Sequence, residues 1–237
     1  MANFHPISEV KALTFDVFGT VVDWRKSSAR EIKQVVIEKG FILDWDGFAD
    51  EWRAGYGPSI NKVRTGELEW ANIDTLHRMI LDSLLETYNI NSLDESEKQQ
   101  LTKAWHRLDP WSDSVEGLTY LKENYIISSL SNGNVALLVN MAKYGGLPWD
   151  TVLSAELVRH YKPDREAYLS TAEFFGLPIE KVMMVAAHKN DLKSARSTGM
   201  RTAYVPRPNE HGPNVETDRE PDDYIDCLLY TSDAADE

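Results

Sequence analysis

The stretch Lys11-Ala-Leu-Thr-Phe-Asp16-Val-Phe-Gly-Thr20 decides how this chain is read. Its first part, Ala12–Phe15, is a mostly apolar run of strand length that delivers a carboxylate to its C-terminal tip. Gly19 then lets the chain turn. Open α/β sheets bind ligands beyond the carboxyl ends of their strands. A carboxylate there serves as nucleophile, base or metal ligand, and this stretch alone leaves all three roles open.

Outward from Asp16, further strand-like runs occur at Ile126–Leu130, Thr151–Leu153, Val182–Val185 and Thr202–Val205. Helical patterns lie between the later ones, at Asn134–Lys143, Arg165–Phe175 and Leu192–Thr198. Strands alternating with helices predict an α/β fold with a doubly wound parallel sheet. Residues 22–109 behave differently. They show helical periodicity at Ser27–Lys39, Trp45–Tyr56, Glu69–Tyr88 and Glu95–Leu108, with no convincing strand. The expected organisation is a core domain from residues 8–21 and 110–226, with a helical cap, 22–109, over the sheet edge that carries Asp16. The tryptophans at 45, 52, 70 and 105 are read mainly as helix-packing residues.

The 237 residues are 42% hydrophobic and 27% charged, a globular composition. A net charge of −13 argues against nucleic acid, since little basic surface is left to neutralise phosphates. It also means that an anionic substrate needs Arg or Lys placed locally in a pocket. No run approaches the ~18–20 apolar residues of a membrane span, and no secretion signal opens the chain, so a cytoplasmic protein is expected. The single cysteine, Cys227, allows neither a disulfide framework nor a cysteine metal site. The tail, residues 227–237, resembles the in-frame translation of a transposase-type sequencing adapter. It is read as an artefact on a gene from environmental, bacterial DNA whose natural end was lost after about Asp226.

Four strand ends carry polar groups, and a parallel sheet brings such ends to one edge. They are Asp16 with Thr20; Ser131-Asn132-Gly133; Tyr161-Lys162-Pro163-Asp164; and Ala186-Ala187-His188-Lys189-Asn190-Asp191. Taken singly each has an ordinary explanation. Ser-Asn-Gly makes turns, Lys-Pro-Asp suits a helix entry, and Asp191 can cap a helix.

In order and spacing, the four motifs resemble the haloacid dehalogenase superfamily, over essentially the whole chain to about residue 225. The phosphatase branch of that family carries Asp-x-Asp at the first motif and Gly-Asp-x-x-x-Asp at the fourth, to hold magnesium. Here Phe18 and Ala187 stand at those positions, and Mg²⁺ demands oxygen ligands in near-octahedral geometry. No metal and no other cofactor is therefore expected. The chain is similar instead to the type II 2-haloacid dehalogenase branch, which has an aromatic residue at the Phe18 position. That branch also has Trp-Arg in a cap helix, matched by Trp52-Arg53, and Tyr six residues after the third-motif Lys, matched by Tyr168.

The resemblance implies hydrolytic release of halide from short 2-haloacids such as haloacetates and 2-halopropionates, fluoroacetate included. Asp16 attacks Cα in line, halide leaves, and water hydrolyses the resulting ester at the Asp16 carbonyl carbon. The catalytic set implied is Asp16, Lys162, Asp191 and His188. Lys162 keeps Asp16 ionised, and Asp191 orients or activates water. Thr20, Phe18, Arg53, Ser131, Asn132 and Tyr168 are the expected substrate- or halide-binding residues. A homodimer is also implied. The fourth motif departs from the branch, which resembles Ser-Ser-Asn-x-x-Asp there. His188 stands at the Asn position and is expected to act as base or to orient water, its unperturbed pKa of ~6.5 suiting neutral pH. Two alternatives stand beside the dehalogenase. One is a hydrolase using the same Asp on a non-halogenated small acid or a phosphoester; the other is a non-catalytic binding protein of this fold. His77, His106 and His160 show no metal-ligand spacing.

Overall fold

The computed structural model describes residues 9–212, 215, 222 and 225–228. The run before Asp16 is β1 (Ala12–Phe15), buried at every residue. After the Gly19 turn come β2 (Val22–Asp23) and α1 (Trp24–Lys39), whose first turn is capped by the Asp23 side chain accepting from Lys26 N. The helical block continues with α2 (Trp45–Ala54), α3 (Tyr56–Arg64), α4 (Ile73–Thr87), α5 (Glu95–Thr102) and a 3₁₀ turn at Lys103–His106. The chain then rejoins the sheet through β3 (Asp109–Pro110), which pairs antiparallel with β2. This two-rung ribbon ties the exit and re-entry points of the block together.

Beyond it follow α6 (Ser114–Lys122), β4 (Ile126–Ser131), α7 (Val135–Gly145), β5 (Thr151–Ser154) and α8 (Arg165–Phe175). The last elements are β6 (Val182–Ala186), α9 (Lys189–Ser197), β7 (Arg201–Tyr204) and β8 (Cys227–Leu228). The sheet order is β5-β4-β1-β6-β7-β8, and every neighbouring pair is parallel. The chain grows outward from β1 through β4 to β5, then crosses to the other side through β6 and β7. Crossovers on opposite sides open a crevice beyond the end of β1, the usual ligand position in such sheets.

Alternation along the strands divides the core. Leu13 and Phe15 of β1 pack into one buried cluster, with Ile127, Leu137 and the aromatic residues of the helical block. Ala12 packs into the other, with Val182, Met184, Leu192 and Tyr168. Side chains that point alternately to the two faces need cover on both, and the helices supply it.

Several boundaries differ from the sequence expectation for physical reasons. The single helix expected over Trp45–Tyr56 is split at Gly55, where an added Cβ would lie 2.6 Å from Ile80 Cγ2. Only glycine allows α4 to approach that closely. The helix expected from Glu69 starts at Ile73 because Asn72 caps it, its side chain accepting from Thr75 N. The ribbon β2–β3 is too short to produce a periodicity. Of the segment 227–237, Cys227–Leu228 pair in parallel with β7, while residues 229–237 lie outside the described residues, as do residue 8 and most of 213–224. Among the described residues no helix is long and apolar enough to cross a membrane.

Candidate active site

The register brings the polar strand ends level. Phe15 lies opposite Ser129 of β4 and Val185 of β6, so Asp16, the turn after β4 and the turn after β6 emerge side by side. The Asp16 amide donates to Val185 O at 2.9 Å, which anchors the carboxylate's backbone to β6. Thr20 Oγ1 donates to Asp16 Oδ2 at 2.9 Å and accepts from Ala187 N at 2.9 Å, joining the first and fourth motifs. Asn132 grips the main chain of Lys162 on both sides. Its Oδ1 accepts from Lys162 N at 2.7 Å, and its Nδ2 donates to Lys162 O at 3.2 Å. That grip aims the lysine inward, with its side chain only 8% exposed.

Lys162 Nζ lies 2.9 Å from Asp16 Oδ1 and 2.5 Å from Asp191 Oδ2. Tyr168, from α8, donates to the other Asp191 oxygen at 2.6 Å. His188 completes the row: Nδ1 lies 3.0 Å from Asp16 Oδ2, and Nε2 lies 2.9 and 3.0 Å from the two Glu210 oxygens. Three carboxylates thus meet Lys162 and His188: Asp16, Asp191 and Glu210.

These neighbours set the protonation states. Burial alone would push the Asp16 carboxyl up, but the Lys162 ammonium and then His188 hold it well below the usual carboxylate range. Burial likewise opposes charge on Lys162, and Asp16 with Asp191 overcome it and raise the lysine. His188 follows the same logic. Desolvation disfavours the imidazolium, and the hydrogen bonds to Asp16 and Glu210 outweigh it, pushing the ring up to about 10. At neutral pH Asp16 is an ionised carboxylate between two cations.

In front of Asp16 lies a cavity of about 250 Å³. Asp16, Phe18, Asn132, Lys162, Pro163, Tyr168, His188, Asn190, Asp191 and Ser194 line it from the sheet side, and Arg53 and Tyr56 from the helical block. Drug-sized sites run to ~300–1,000 Å³, so this one suits a smaller ligand. The Arg53 guanidinium stands 4.4 Å from the Tyr56 ring centre and 5.6 Å from that of Trp24. Among the described residues no hydrogen bond or ion pair engages it. An arginine held by aromatic faces with its donors uncommitted is ready for a carboxylate or halide.

Eight of the ten residues singled out from sequence line this cavity: Asp16, Phe18, Arg53, Asn132, Lys162, Tyr168, His188 and Asp191. Two do not. Ser131 is buried, with its hydroxyl accepting from Gly133 N at 3.1 Å, so it shapes the turn and does not reach the ligand space. Thr20 is turned toward Asp16 and Ala187. His188 was expected to act as base or to orient water. Its two nitrogens face Asp16 and Glu210. Ionised carboxylates accept, which favours the imidazolium with both nitrogens donating, and in that state the ring has no lone pair for a proton.

Sequence reasoning missed Glu210 and did not single out Tyr56 as a site residue. Glu210 follows β7, a fifth strand end at the same edge; extending the four-end argument by one strand would have found it. The other histidines sit elsewhere. His77 is buried against Trp105, ring centres 4.3 Å apart, and burial and Arg53 hold it at about 3. His106 lies 2.8 Å from Asp74, and His160 is 3.8 Å from Asp164. A magnesium ion does not fit the donor set. The Lys162 ammonium already bridges Asp16 and Asp191, and Phe18 and Ala187 supply no side-chain oxygen.

A family model described as haloacid dehalogenase-like hydrolase matches residues 10–199. The (S)-2-haloacid dehalogenase of Pseudomonas fluorescens is 25% identical over 239 residues, covering 95% of this chain and 96% of that protein. Among solved structures, a defluorinating L-2-haloacid dehalogenase shares 45% identity at a TM-score of 0.90, covering 92% of this chain and 90% of that one. A second L-2-haloacid dehalogenase shares 42% at a TM-score of 0.89, covering 92% and 94%.

Proposed function

The chain belongs to the haloacid dehalogenase-like hydrolases, and from that premise we propose that it hydrolyses the carbon–halogen bond of short 2-haloacids without a metal. The observation that carries this reading is the Asp16 carboxylate: buried, kept ionised by Lys162 at 2.9 Å, and facing a small cavity with Arg53 opposite. A charged oxygen with one free edge is suited to in-line attack on carbon.

In this reading Arg53 receives the substrate carboxylate or the departing halide. Asp16 attacks Cα, the carbon–halogen electron pair leaves with the halide, and an ester joins Asp16 to the acid. Attack in line inverts the carbon, so an (S)-substrate leaves as a hydroxy acid of opposite configuration. Phe18 and Tyr56 form the apolar part of the wall, limiting water around the ester. Asp191, held by Lys162 and Tyr168, then takes a proton from the water that attacks Asp16 Cγ. The helical block, residues 22–109, serves as a cap, since Arg53 and Tyr56 reach the cavity from it. Fluoroacetate belongs in the substrate set because the cavity is small and a relative of 45% identity is described as defluorinating.

The test is halide release from chloroacetate, 2-chloropropionate and fluoroacetate, with and without EDTA. The protein is expected to release halide from at least one of them, equally with chelator, and Asp16→Asn to release none. Silence on all three, or loss of activity with EDTA, would remove the reading.

A further inference from the structure

The two oxygens of Asp16 are not equivalent. Among the described residues, Oδ1 is approached by Lys162 Nζ alone. Oδ2 has Thr20 Oγ1 at 2.9 Å and His188 Nδ1 at 3.0 Å. A nucleophilic oxygen needs a lone pair free along the line of attack, so the less engaged Oδ1 is the one that bonds to carbon. Oδ2 then becomes the carbonyl oxygen of the ester. When water adds to Cγ, negative charge develops on Oδ2, and two donors already stand at ~2.7–3.1 Å, the separation an oxyanion hole requires.

One of those donors depends on a residue outside the four motifs. Glu210 is 4% exposed, and its carboxylate meets His188 Nε2 at 2.9 and 3.0 Å. Trp24 Nε1 donates to Glu210 Oε1 at 3.1 Å. Gly19 leaves the room, since an added Cβ there would overlap the Glu210 carboxylate. Before reaction both Asp16 and Glu210 favour the imidazolium. Once Asp16 is esterified its charge is gone, and among the described residues Glu210 alone remains to hold the proton on His188.

On the dehalogenase reading above, we propose that Glu210 is a positioning residue for ester hydrolysis: it keeps His188 charged, and His188 with Thr20 forms the oxyanion hole at Asp16 Oδ2. The bonds balance. In the first step the Oδ1–Cα bond forms and the carbon–halogen bond breaks. In the second, water oxygen bonds to Cγ, its proton passes to Asp191, and the carbonyl electron pair moves onto Oδ2. Collapse breaks Cγ–Oδ1, and the hydroxy acid leaves with Oδ1 and the proton held by Asp191. The new Asp16 carboxyl releases its proton to solvent.

The charged groups around His188 are Asp16 from the end of β1, Glu210 after β7, and Lys162 after β5, paired in turn with Asp191 of α9. His211 stands 3.9 Å from Glu210, and the adjacent Lys189 Nζ lies 2.9 Å from Asp222. The ring's rise to about 10 in the free protein fits this setting.

The experiment is rapid quench with chloroacetate, reading the halide burst and, by mass, the Asp16 peptide carrying a carboxymethyl group. Glu210→Gln keeps a hydrogen-bond acceptor for Trp24. It is expected to release the halide burst within about threefold of the wild-type rate and to hydrolyse the ester about ten- to a hundredfold more slowly. The deficit should widen from ~pH 6 to ~pH 9, because the unsupported imidazole loses its proton in that range. Glu210→Asp should restore much of the alkaline rate, and His188→Asn should hydrolyse slowly with no such pH dependence. Equal slowing of both steps in Glu210→Gln, or a deficit unchanged with pH, would overturn the proposal. If Glu210→Gln does not fold, His188→Asn decides alone, and ester hydrolysis at the wild-type rate would overturn it. A wild-type protein that gives no halide burst would refute the dehalogenase reading itself, and so remains distinguishable.

Discussion

Lys162→Met is the perturbation whose cost follows most directly from the geometry. The lysine side chain is 8% exposed and lies between two carboxylates, 2.9 Å from Asp16 and 2.5 Å from Asp191. Methionine nearly matches its length but leaves the carboxylates facing one another across the gap. At a separation near ~5 Å and an effective dielectric of ~20, two unit charges repel by about 3 kcal/mol. Breaking a buried pair by removing one partner costs about 3–5 kcal/mol, which agrees in size. Asp16→Asn serves as the milder control: Lys162 keeps Asp191 and His188 keeps Glu210, so no two like charges are left facing one another and its cost should be the smaller of the two. The assay is urea unfolding at several pH values. In the wild type Asp16 titrates below its unfolded value, so its stabilisation is full above ~pH 4 and is lost as pH falls through the lowered folded value. In Lys162→Met that contribution is absent and a proton relieves the repulsion. The difference between the proteins should therefore shrink from neutral pH toward ~pH 4. A cost below ~1 kcal/mol at neutral pH, or one that does not change with pH, would refute the reasoning.

Three further outcomes are expected. Arg53→Lys should raise KM for haloacids about tenfold or more with stability little changed, because lysine lacks the planar fork and the stacking on Tyr56; steady-state kinetics beside a thermal melt checks both. Tyr168→Phe removes the 2.6 Å donor to Asp191. It should cost about 1–3 kcal/mol of stability and slow ester hydrolysis more than the halide burst, read by rapid quench. Because Lys162 and His188 hold Asp16 below the ordinary carboxylate range, the burst rate should be flat with falling pH down to ~pH 5. An apparent pKa above that in the burst would contradict the ionisation assigned to Asp16.

Much of the site could be read from sequence because a parallel sheet gives strand ends a shared address. Short apolar runs place Asp16, Asn132 and His188 at one edge with little need of tertiary detail, and the helix after Lys162 adds Tyr168. Arg53 was reached through family resemblance alone, as nothing in the periodicity of α2 marks it over its neighbours. Tyr56 was obscured because its helix was read as continuous through Gly55, whereas the break there starts α3 and turns Tyr56 to the cavity. Ser131 looked like a ligand residue since Ser-Asn-Gly offers two polar groups; the tight turn uses the hydroxyl for its own Gly133 amide. The charge on His188 was hidden for a different reason. It depends on Glu210, 22 residues later, beyond another strand, and a ring's protonation follows from the partners at both nitrogens.

The central claim is that Asp16 itself bonds to the substrate carbon and that water enters only afterwards, at Cγ. A single turnover in heavy-oxygen water, with enzyme in excess over chloroacetate, tests it directly by mass analysis of the Asp16 peptide and the hydroxy acid. The account expects the heavy oxygen in the Asp16 carboxylate and the ordinary oxygen in the product. Heavy oxygen in the hydroxy acid after that first turnover, with Asp16 unlabelled, would mean that water attacked the carbon and would contradict it.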